Sequence, residues 1–150
     1  MRGRARWAAA AALAGTVWLS GCAGPSRTDA DFTAKAANTA EAALSSVRTA
    51  RIAAEAAAKG KAPSRYLPVV FSDQETALTS VQSTFDSVQP PSSAADGVRD
   101  RLDELLVAAI DQVARLRIES RRGGFMPDRR TLDGLTAVGD ALDRFAAEHS

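Results

Sequence analysis

Few side chains in this sequence could do nucleophilic or acid–base chemistry. Cys22 is the only cysteine, in the stretch Leu19-Ser20-Gly21-Cys22, and His149 is the only histidine, next to the last residue. A nucleophilic serine or cysteine needs a neighbouring base, which is usually histidine. We expect His149 to lie at a frayed helix end, where it is not held beside a nucleophile. The sequence therefore predicts no catalytic residue and a protein that is not an enzyme.

Acidic side chains are a second candidate group, because clustered carboxylates can bind a metal ion. Four of them fall close together in the predicted third helix: Asp100, Asp103, Glu104 and Asp111. Arginines at positions 99, 101 and 115 are interleaved with them, which is typical of a solvated charged face. Metal sites inside helical bundles use inward glutamates and Glu-x-x-His pairs, and the sequence contains no such pair. We expect neither a metal ion nor a cofactor.

Cys22 follows a segment organised like a secretion signal. The first seven residues, MRGRARW, carry three arginines, and residues 8–19, AAAAALAGTVWL, form an apolar run. That run is too short to cross about 30 Å of hydrocarbon comfortably, but it suits the central region of a signal peptide. The four residues that end it, Leu-Ser-Gly-Cys, resemble the lipobox of bacterial lipoproteins, which is an aliphatic residue, two small residues and a cysteine.

The resemblance to bacterial lipoproteins covers residues 1–22 only and names no family for the rest of the chain. It implies that residues 1–21 are a cleaved signal peptide and that the Cys22 thiol carries a diacylglyceryl group, with acyl chains such as palmitate. Two or more acyl chains anchor a protein stably. The resemblance thus implies a lipid anchor in the cell membrane, with the protein on the extracytoplasmic face. The alternatives are an ordinary secretory signal or an N-terminal membrane anchor with an incidental cysteine.

Residues 22–28 are then the lipidated cysteine and a short tether. The six residues 23–28, AGPSRT, reach at most about 20 Å when fully extended, so we expect the folded part to stay close to the membrane. The heavy use of alanine, arginine and aspartate suggests the GC-rich genome of an actinobacterium.

Composition and charge limit what the mature chain can do. Hydrophobic residues make up 45% of the sequence but aromatic residues only 5%, so the apolar content is largely alanine, which favours helix. Three of the 19 basic residues lie in the first six positions, and the remaining 16 stand against 18 acidic residues. A chain this close to neutral is not a bulk nucleic-acid binder, and we expect no nucleic-acid partner.

Hydrophobic periodicity predicts four amphipathic helices in residues 29–150, which we expect to form one domain. The first helix runs from about Asp31 to Lys59, with Asp29 or Asp31 as its N-cap. One face of it carries small residues in a heptad pattern: Ala36, Ala40, Ala43, Val47, Ala50, Ala54 and Ala57. The second helix begins at Ser72, where Ser72-Asp73-Gln74-Glu75 matches a capping box, and stops at Pro90-Pro91.

The third helix is predicted from Ser92 or Ser93 to about Arg121, and the fourth begins with Asp128 as its N-cap. Both carry a continuous apolar stripe, and in the third helix we expect Leu105 to lie in the core. Two glycines, at positions 134 and 139, weaken the fourth helix unless they mark close packing against the alanine face.

Four amphipathic helices joined by short turns predict an all-α fold, an up-down-up-down antiparallel four-helix bundle. The alternative is a three-helix core, with the alanine-rich first helix packed on a partner or on a second copy of itself. Small residues on the first helix let a neighbouring helix approach closely, which favours tight packing between the helices.

The up-down-up-down topology brings the loops at residues 61–71 and 121–130 together at the end far from the tether. Basic residues concentrate there beside apolar ones, and the candidate partner-binding residues are Lys61, Arg65, Arg121, Arg122, Phe125, Arg129 and Arg130. One interpretation is structural, since cations complement the C-terminal dipoles of the first and third helices and the apolar residues cover the core. The other is that this end binds an anionic envelope polymer or an acidic protein surface.

These features together predict a membrane-anchored extracytoplasmic lipoprotein that acts as a non-catalytic interaction or structural module. The alternative is a carrier of a small ligand or lipid, which needs a cavity of drug size between the helices.

Overall fold

A computed structural model describes residues 28–150, and the predicted signal peptide, Cys22 and most of the tether lie outside this range. The described residues form four α-helices, with no strand among them: α1 (Asp29–Ala58), α2 (Leu67–Asp86), α3 (Ser93–Ser120) and α4 (Arg129–Glu148). The all-α fold predicted from the periodicity is therefore confirmed.

Three of the helices begin with a side-chain cap. The Thr28 hydroxyl accepts a hydrogen bond from the Asp31 amide at 3.1 Å, so the cap of α1 is Thr28 and neither of the two predicted aspartates. Ser92, one of the two serines at which α3 was predicted to start, caps α3, and Asp128 caps α4 as predicted. Each cap satisfies one of the backbone N–H groups that the first turn of a helix leaves without a partner.

The predicted start of α2 is wrong by five residues. The helix begins at Leu67, with Pro68 in its first turn, where a missing N–H costs no hydrogen bond. Ser72 lies inside the helix, and its carbonyl oxygen accepts a hydrogen bond from the Thr76 hydroxyl at 2.9 Å. Glu75 does not complete a capping box but forms an ion pair with Arg117 of α3. The S-x-x-E pattern was a coincidence of spacing inside a longer helix.

The end of α1 is set by a Schellman turn. Lys59 is the C-cap and Gly60 takes a positive φ of 66°. The Lys61 amide donates to the Ala56 carbonyl at 2.8 Å, and the Gly60 amide donates to the Ala57 carbonyl at 2.9 Å. These bonds satisfy two of the last carbonyl groups of the helix, and glycine accepts the left-handed conformation without a steric cost.

The four helices run up, down, up and down, so that their ends meet in two sets. At one end, the Phe32 ring of α1 packs 5.4 Å from the Phe85 ring of α2, and the Ser92 hydroxyl donates to Asp29 at 2.7 Å. At the other end, Phe71 in the second turn of α2 contacts Phe125 in the loop between α3 and α4. We call the first set, where α1 begins, the proximal end and the second set the distal end.

The helix α1 completes the core of this bundle, because it contacts each of the other three helices. Within the described range α1 also touches α3 across the bundle, whereas α2 and α4 do not touch each other. The predicted small-residue face of α1 is buried along its whole length. Alanine projects only a Cβ atom from the helix, so α1 and α3 can approach and push α2 and α4 apart. The alternative of a three-helix core is not what the structure has.

The core combines this alanine face with larger side chains from the other helices. Its largest fully buried side chains include Phe32, Phe71, Phe85 and Phe145. Leu105, which the stripe on α3 placed in the core, is only half-buried, and its neighbour Leu106 is 0% exposed. Successive residues on a helix are 100° apart, so only one of two adjacent leucines can point directly inward.

Replacing Gly139 with alanine should stabilise the bundle by about 0.5–1 kcal/mol, the helix-propensity difference between the two residues. A methyl group at this position would lie 3.7 Å from the side chains of Leu44 and Val47, which is ordinary van der Waals contact. The glycine is thus not required for the close approach of α4 to α1. The measurement is thermal unfolding. The matched variant is Gly60→Ala, whose positive φ should make the same change destabilising; equal shifts for both would contradict the argument.

Candidate functional site

The distal end carries a strong excess of positive charge. We define the basic end as residues 59–66 and 121–130, which together contain seven basic residues and one acidic residue. All seven cations are exposed: Lys59, Lys61, Arg65, Arg121, Arg122, Arg129 and Arg130. The structure therefore brings together on one surface the six cations predicted as partner-binding residues, and Lys59 joins them.

Helix termini fix where these cations lie. Lys59 and Arg121 are the C-caps of α1 and α3, and Arg129 and Arg130 are the first two residues of α4. The cation Arg65 stands two residues before α2, and its guanidinium lies 5.3 Å from the centroid of the Tyr66 ring. A contact of this length allows a cation–π attraction. All four helices thus contribute to a single basic surface.

Acidic residues neutralise little of this charge. Asp128 is engaged as the N-cap of α4, and hydrogen bonds from the Thr131 amide and hydroxyl lower the pKa of its carboxyl. Arg129 lies 3.9 Å from Asp133, but both side chains are largely exposed, and such pairs contribute little in water. The cations of the basic end therefore remain available to an anion from outside.

Phe125, the one apolar residue predicted to bind a partner, packs against the core. Its ring meets Phe71 edge-on at a centroid distance of 5.6 Å, and the side chain is half-buried. Leu67 and Pro127 are also buried. The large apolar side chains that stay open at this end are Tyr66, 56% exposed, Val69 in the first turn of α2, 58% exposed, and Met126, 70% exposed. The covering role for Phe125 is what the structure supports.

The proximal end holds a mixed set of charges with internal partners. Arg99 of α3 donates from Nη2 to two carbonyl oxygens at the end of α2. They belong to Asp86, the last residue of α2, and to Val88, two residues beyond it. Arg101 forms an ion pair with Glu148 at 3.0 Å. These arginines satisfy backbone and carboxylate groups within the bundle, unlike the cations of the basic end.

Asp103 is the most perturbed acidic group at this end. Burial raises the pKa of its carboxyl, the charges of Asp86 and Asp100 raise it further, and Arg99 opposes them. Its Oδ1 atom is buried and has no hydrogen-bond partner among residues 28–150. The ionised form of Asp103 therefore destabilises the fold.

The Asp103→Asn variant should have a higher melting temperature than the parent at pH 7. Because the folded-state pKa is raised above that of the unfolded chain, the destabilisation is present above the folded-state pKa and absent below the unfolded value of about 4. The advantage of the variant should shrink as the pH falls through that window. Thermal unfolding at a series of pH values checks this, with Asp111→Asn, an exposed change on the same helix, as the control. An advantage that persists at pH 3 would contradict the assignment.

The acidic residues of α3 do not converge on a metal site. They line an open depression of about 740 Å³ along the solvent face of the helix, together with Gln112 and Arg115. Among residues 28–150 no group of three or more histidine, cysteine or acidic side chains is arranged to hold a metal ion. The interpretation as a solvated charged face fits Asp100, Glu104 and Asp111, whereas Asp103 is partly buried.

Grooves between the helices bear on the carrier alternative. A groove of about 360 Å³ runs between α1 and α2, lined by Lys35, Asn38, Val81, Phe85 and Val88 among others. Its volume lies near the lower limit for small-molecule sites. Phe85 and Val88 are already buried against the core, so a ligand in the groove would cover little additional apolar surface. This geometry supports a carrier less well than it supports a binding surface at the basic end.

His149 lies just beyond the last residue of α4 and packs back on that helix. Its ring stacks on Phe145 at a centroid distance of 4.2 Å, and Nδ1 donates to the Phe145 carbonyl at 2.7 Å. His149 is the C-cap residue of α4, and these contacts place its ring against the last turn of that helix. Its partners are an aromatic ring and a carbonyl group, and neither is a nucleophile.

The described part of the chain thus offers one surface with a strong chemical character, which is the basic end. No helix within residues 28–150 has the length and apolarity needed to cross a membrane. No protein-family model, curated protein or solved structure matches this chain.

Proposed function

We propose that the protein is a lipid-anchored extracytoplasmic lipoprotein that acts as a non-catalytic interaction module, with the basic end as its binding surface for an anionic component of the cell envelope. One observation carries the proposal: the basic end, residues 59–66 and 121–130, has seven exposed cations and one acidic residue, and it lies opposite the start of α1. The lipid anchor itself is inferred from the Leu-Ser-Gly-Cys stretch before α1.

The distance between the anchor and the basic end determines which way the basic end faces relative to the membrane. Cys22 precedes Asp29 by only a short tether, so an anchor at Cys22 holds the proximal end near the lipid. The 30 residues of α1 span about 45 Å at 1.5 Å per residue. The tether, at most about 20 Å long, is shorter than the bundle, so the domain cannot turn over to place its basic end head-on against its own membrane. The basic end is directed toward whatever lies above the lipid.

Helix dipoles do not account for the whole cluster. Lys59 and Arg121 cap the C-termini of α1 and α3, where a cation is favourable. Arg129 and Arg130, however, occupy the first turn of α4, which contains no acidic residue. A cation at a helix N-terminus opposes the dipole, at a cost of up to about 1 kcal/mol. The helix dipoles therefore account for Lys59 and Arg121 but not for Arg129 and Arg130.

Replacing Arg121, Arg122, Arg129 and Arg130 together with glutamine should greatly weaken retention of the protein on isolated cell-envelope material. Cations near an anionic surface contribute about 1 kcal/mol each at modest salt, so the loss should be on the order of 100-fold or more. Retention of the parent should itself fall steeply between low and moderate salt, because exposed charges are screened beyond about 10 Å at 0.1 M. The measurement is a sedimentation binding curve at two salt concentrations.

A matched variant separates position from net charge. Replacing Arg48, Arg51, Arg115 and Arg144 with glutamine removes the same number of charges, four, from positions within the helices along the sides of the bundle. This control should bind nearly as well as the parent. The proposal fails if both variants lose binding equally, if the first variant binds as well as the parent, or if the parent does not bind at all.

A further inference from the structure

We infer that the ligand of the basic end is a flexible, linear polyanion and not a folded acidic protein. The inference rests on the proposed function and names the class of its partner. Three features of the basic end carry it: its small area, the lack of an apolar centre, and cations that are spread over loops with uncovered backbone.

The end of a four-helix bundle is small. Helix axes in contact lie 8–10 Å apart and each helix is about 10 Å wide, so the distal end measures roughly 20 Å by 20 Å, or about 400 Å². A stable protein–protein interface buries about 800 Å² on each partner. A rigid acidic protein that met only this end would therefore have a small area to contact. A flexible chain can instead lie across the end and continue down the sides of the first turns.

Apolar side chains do not form an interface centre at this end. Leu67, Phe125 and Pro127 are turned into the core or packed against it, which leaves three large apolar side chains exposed: Tyr66, Val69 and Met126. Protein interfaces concentrate their binding energy in a buried centre that is depleted of charge. The basic end has the opposite composition, with charge throughout.

The cations of the basic end lie near glycines whose backbone no side chain covers. Gly60, Gly123 and Gly124 all have positive φ, and a Cβ atom built on any of them would meet no atom within 4 Å. Arg121-Arg122 and Arg129-Arg130 form two adjacent pairs on either side of the second glycine-containing loop. Guanidinium groups bind phosphate or carboxylate oxygens through two parallel hydrogen bonds. A chain that carries an anionic group at every repeat can meet such pairs one after another.

Chain length is the property that a linear polyanion adds to simple charge. Each further anionic group binds intramolecularly once the first is held, so affinity should rise until the chain spans the end and then level off. We expect on the order of 100-fold tighter binding for a chain longer than about 25 Å than for a chain of two or three repeats. If about five cations displace counterions, affinity should also fall on the order of 100-fold between 50 and 200 mM salt.

The experiment uses the full chain, purified with its anchor in a non-ionic detergent. Fluorescently labelled polyphosphate and poly-glutamate of several defined lengths serve as probes in anisotropy titrations, and inorganic phosphate serves as a competitor. Length-dependent binding of either polymer, lost in the Arg121, Arg122, Arg129 and Arg130 glutamine variant and kept in the side-of-bundle control, supports the inference. The two polymers also show whether phosphate or carboxylate is preferred.

Two outcomes overturn the inference. If inorganic phosphate competes as effectively as a long chain, then the basic end is a site for a single anion. If neither polymer binds at any length while envelope retention still depends on the four arginines, then the partner is a folded acidic surface. In that second case the proposed function stands and only the class of partner is wrong, so the two failures can be told apart.

Discussion

The Leu106→Asp variant is expected to lose the folded bundle. Leu106 is 0% exposed and belongs to the central cluster of α3. Truncating a leucine in such a position to alanine costs about 2–5 kcal/mol. Aspartate adds the burial of a charge without a partner, and a domain of this size has only about 5–15 kcal/mol of stability in total. Far-ultraviolet circular dichroism should show loss of most of the helical signal at 25 °C.

The adjacent position supplies the control for this prediction. Leu105→Asp introduces the same group one residue earlier, where the side chain is half-buried and the carboxylate can turn toward water. This variant should remain folded with a lowered melting temperature, and Leu106→Ala should fall between it and Leu106→Asp. If the two aspartate variants were equally stable, the orientation of α3 given by the structure would be wrong.

The Cys22→Ser variant is expected to abolish lipidation completely. The proposed anchor is a thioether, and the hydroxyl of serine is a much weaker nucleophile than a thiol. Cells that express the variant should accumulate a precursor longer by the 21-residue signal peptide, without incorporation of labelled palmitate. Electrophoretic mobility and radiolabel in the immunoprecipitated protein measure the two effects.

A matched variant two residues before Cys22 tests the pattern around the cysteine. Ser20→Ala keeps a small residue in the Leu-Ser-Gly-Cys stretch, so it should be processed and labelled like the parent. Processing and labelling of Cys22→Ser at the parental level would remove the lipid anchor from the proposal. The basic end would then lose its fixed direction, although its charge and its predicted affinity for polyanions would remain.

The inner faces of the helices could be predicted from the sequence, because a period of 3.6 residues places every third or fourth side chain on one side. The alanine face of α1 was identified in this way, and all seven of its positions are buried. Asp128 was identified as a cap, and Ser92 or Ser93 as the start of α3, because short polar side chains before an apolar period favour a helix N-terminus. The hydrophobic pattern thus predicted the type and the number of the secondary-structure elements.

Local sequence patterns gave the wrong role for residues whose contacts are made with distant parts of the chain. Ser72 and Glu75 have the spacing of a capping box, but Glu75 is held by Arg117 of α3, 42 residues away. Thr28, Asp29 and Asp31 are all residue types that can cap a helix. Which of them caps α1 depends on how α1 enters the bundle, where Asp29 accepts a hydrogen bond from Ser92. Phe125 has the character of a docking residue, and only its contact with Phe71 shows that it covers the core.

The sequence by itself determined that this chain forms four amphipathic helices, which of their faces turn inward, and that seven cations occur in residues 59–66 and 121–130. These properties follow from the order of side chains along one helix or loop. Only the tertiary structure decided that α1 contacts α3 while α2 and α4 stay apart, that Leu106 and not Leu105 points to the centre, and that Phe125 packs on Phe71. Those outcomes depend on how four helices divide a common volume, and a side chain's neighbours across the bundle are not encoded in its neighbours along the chain.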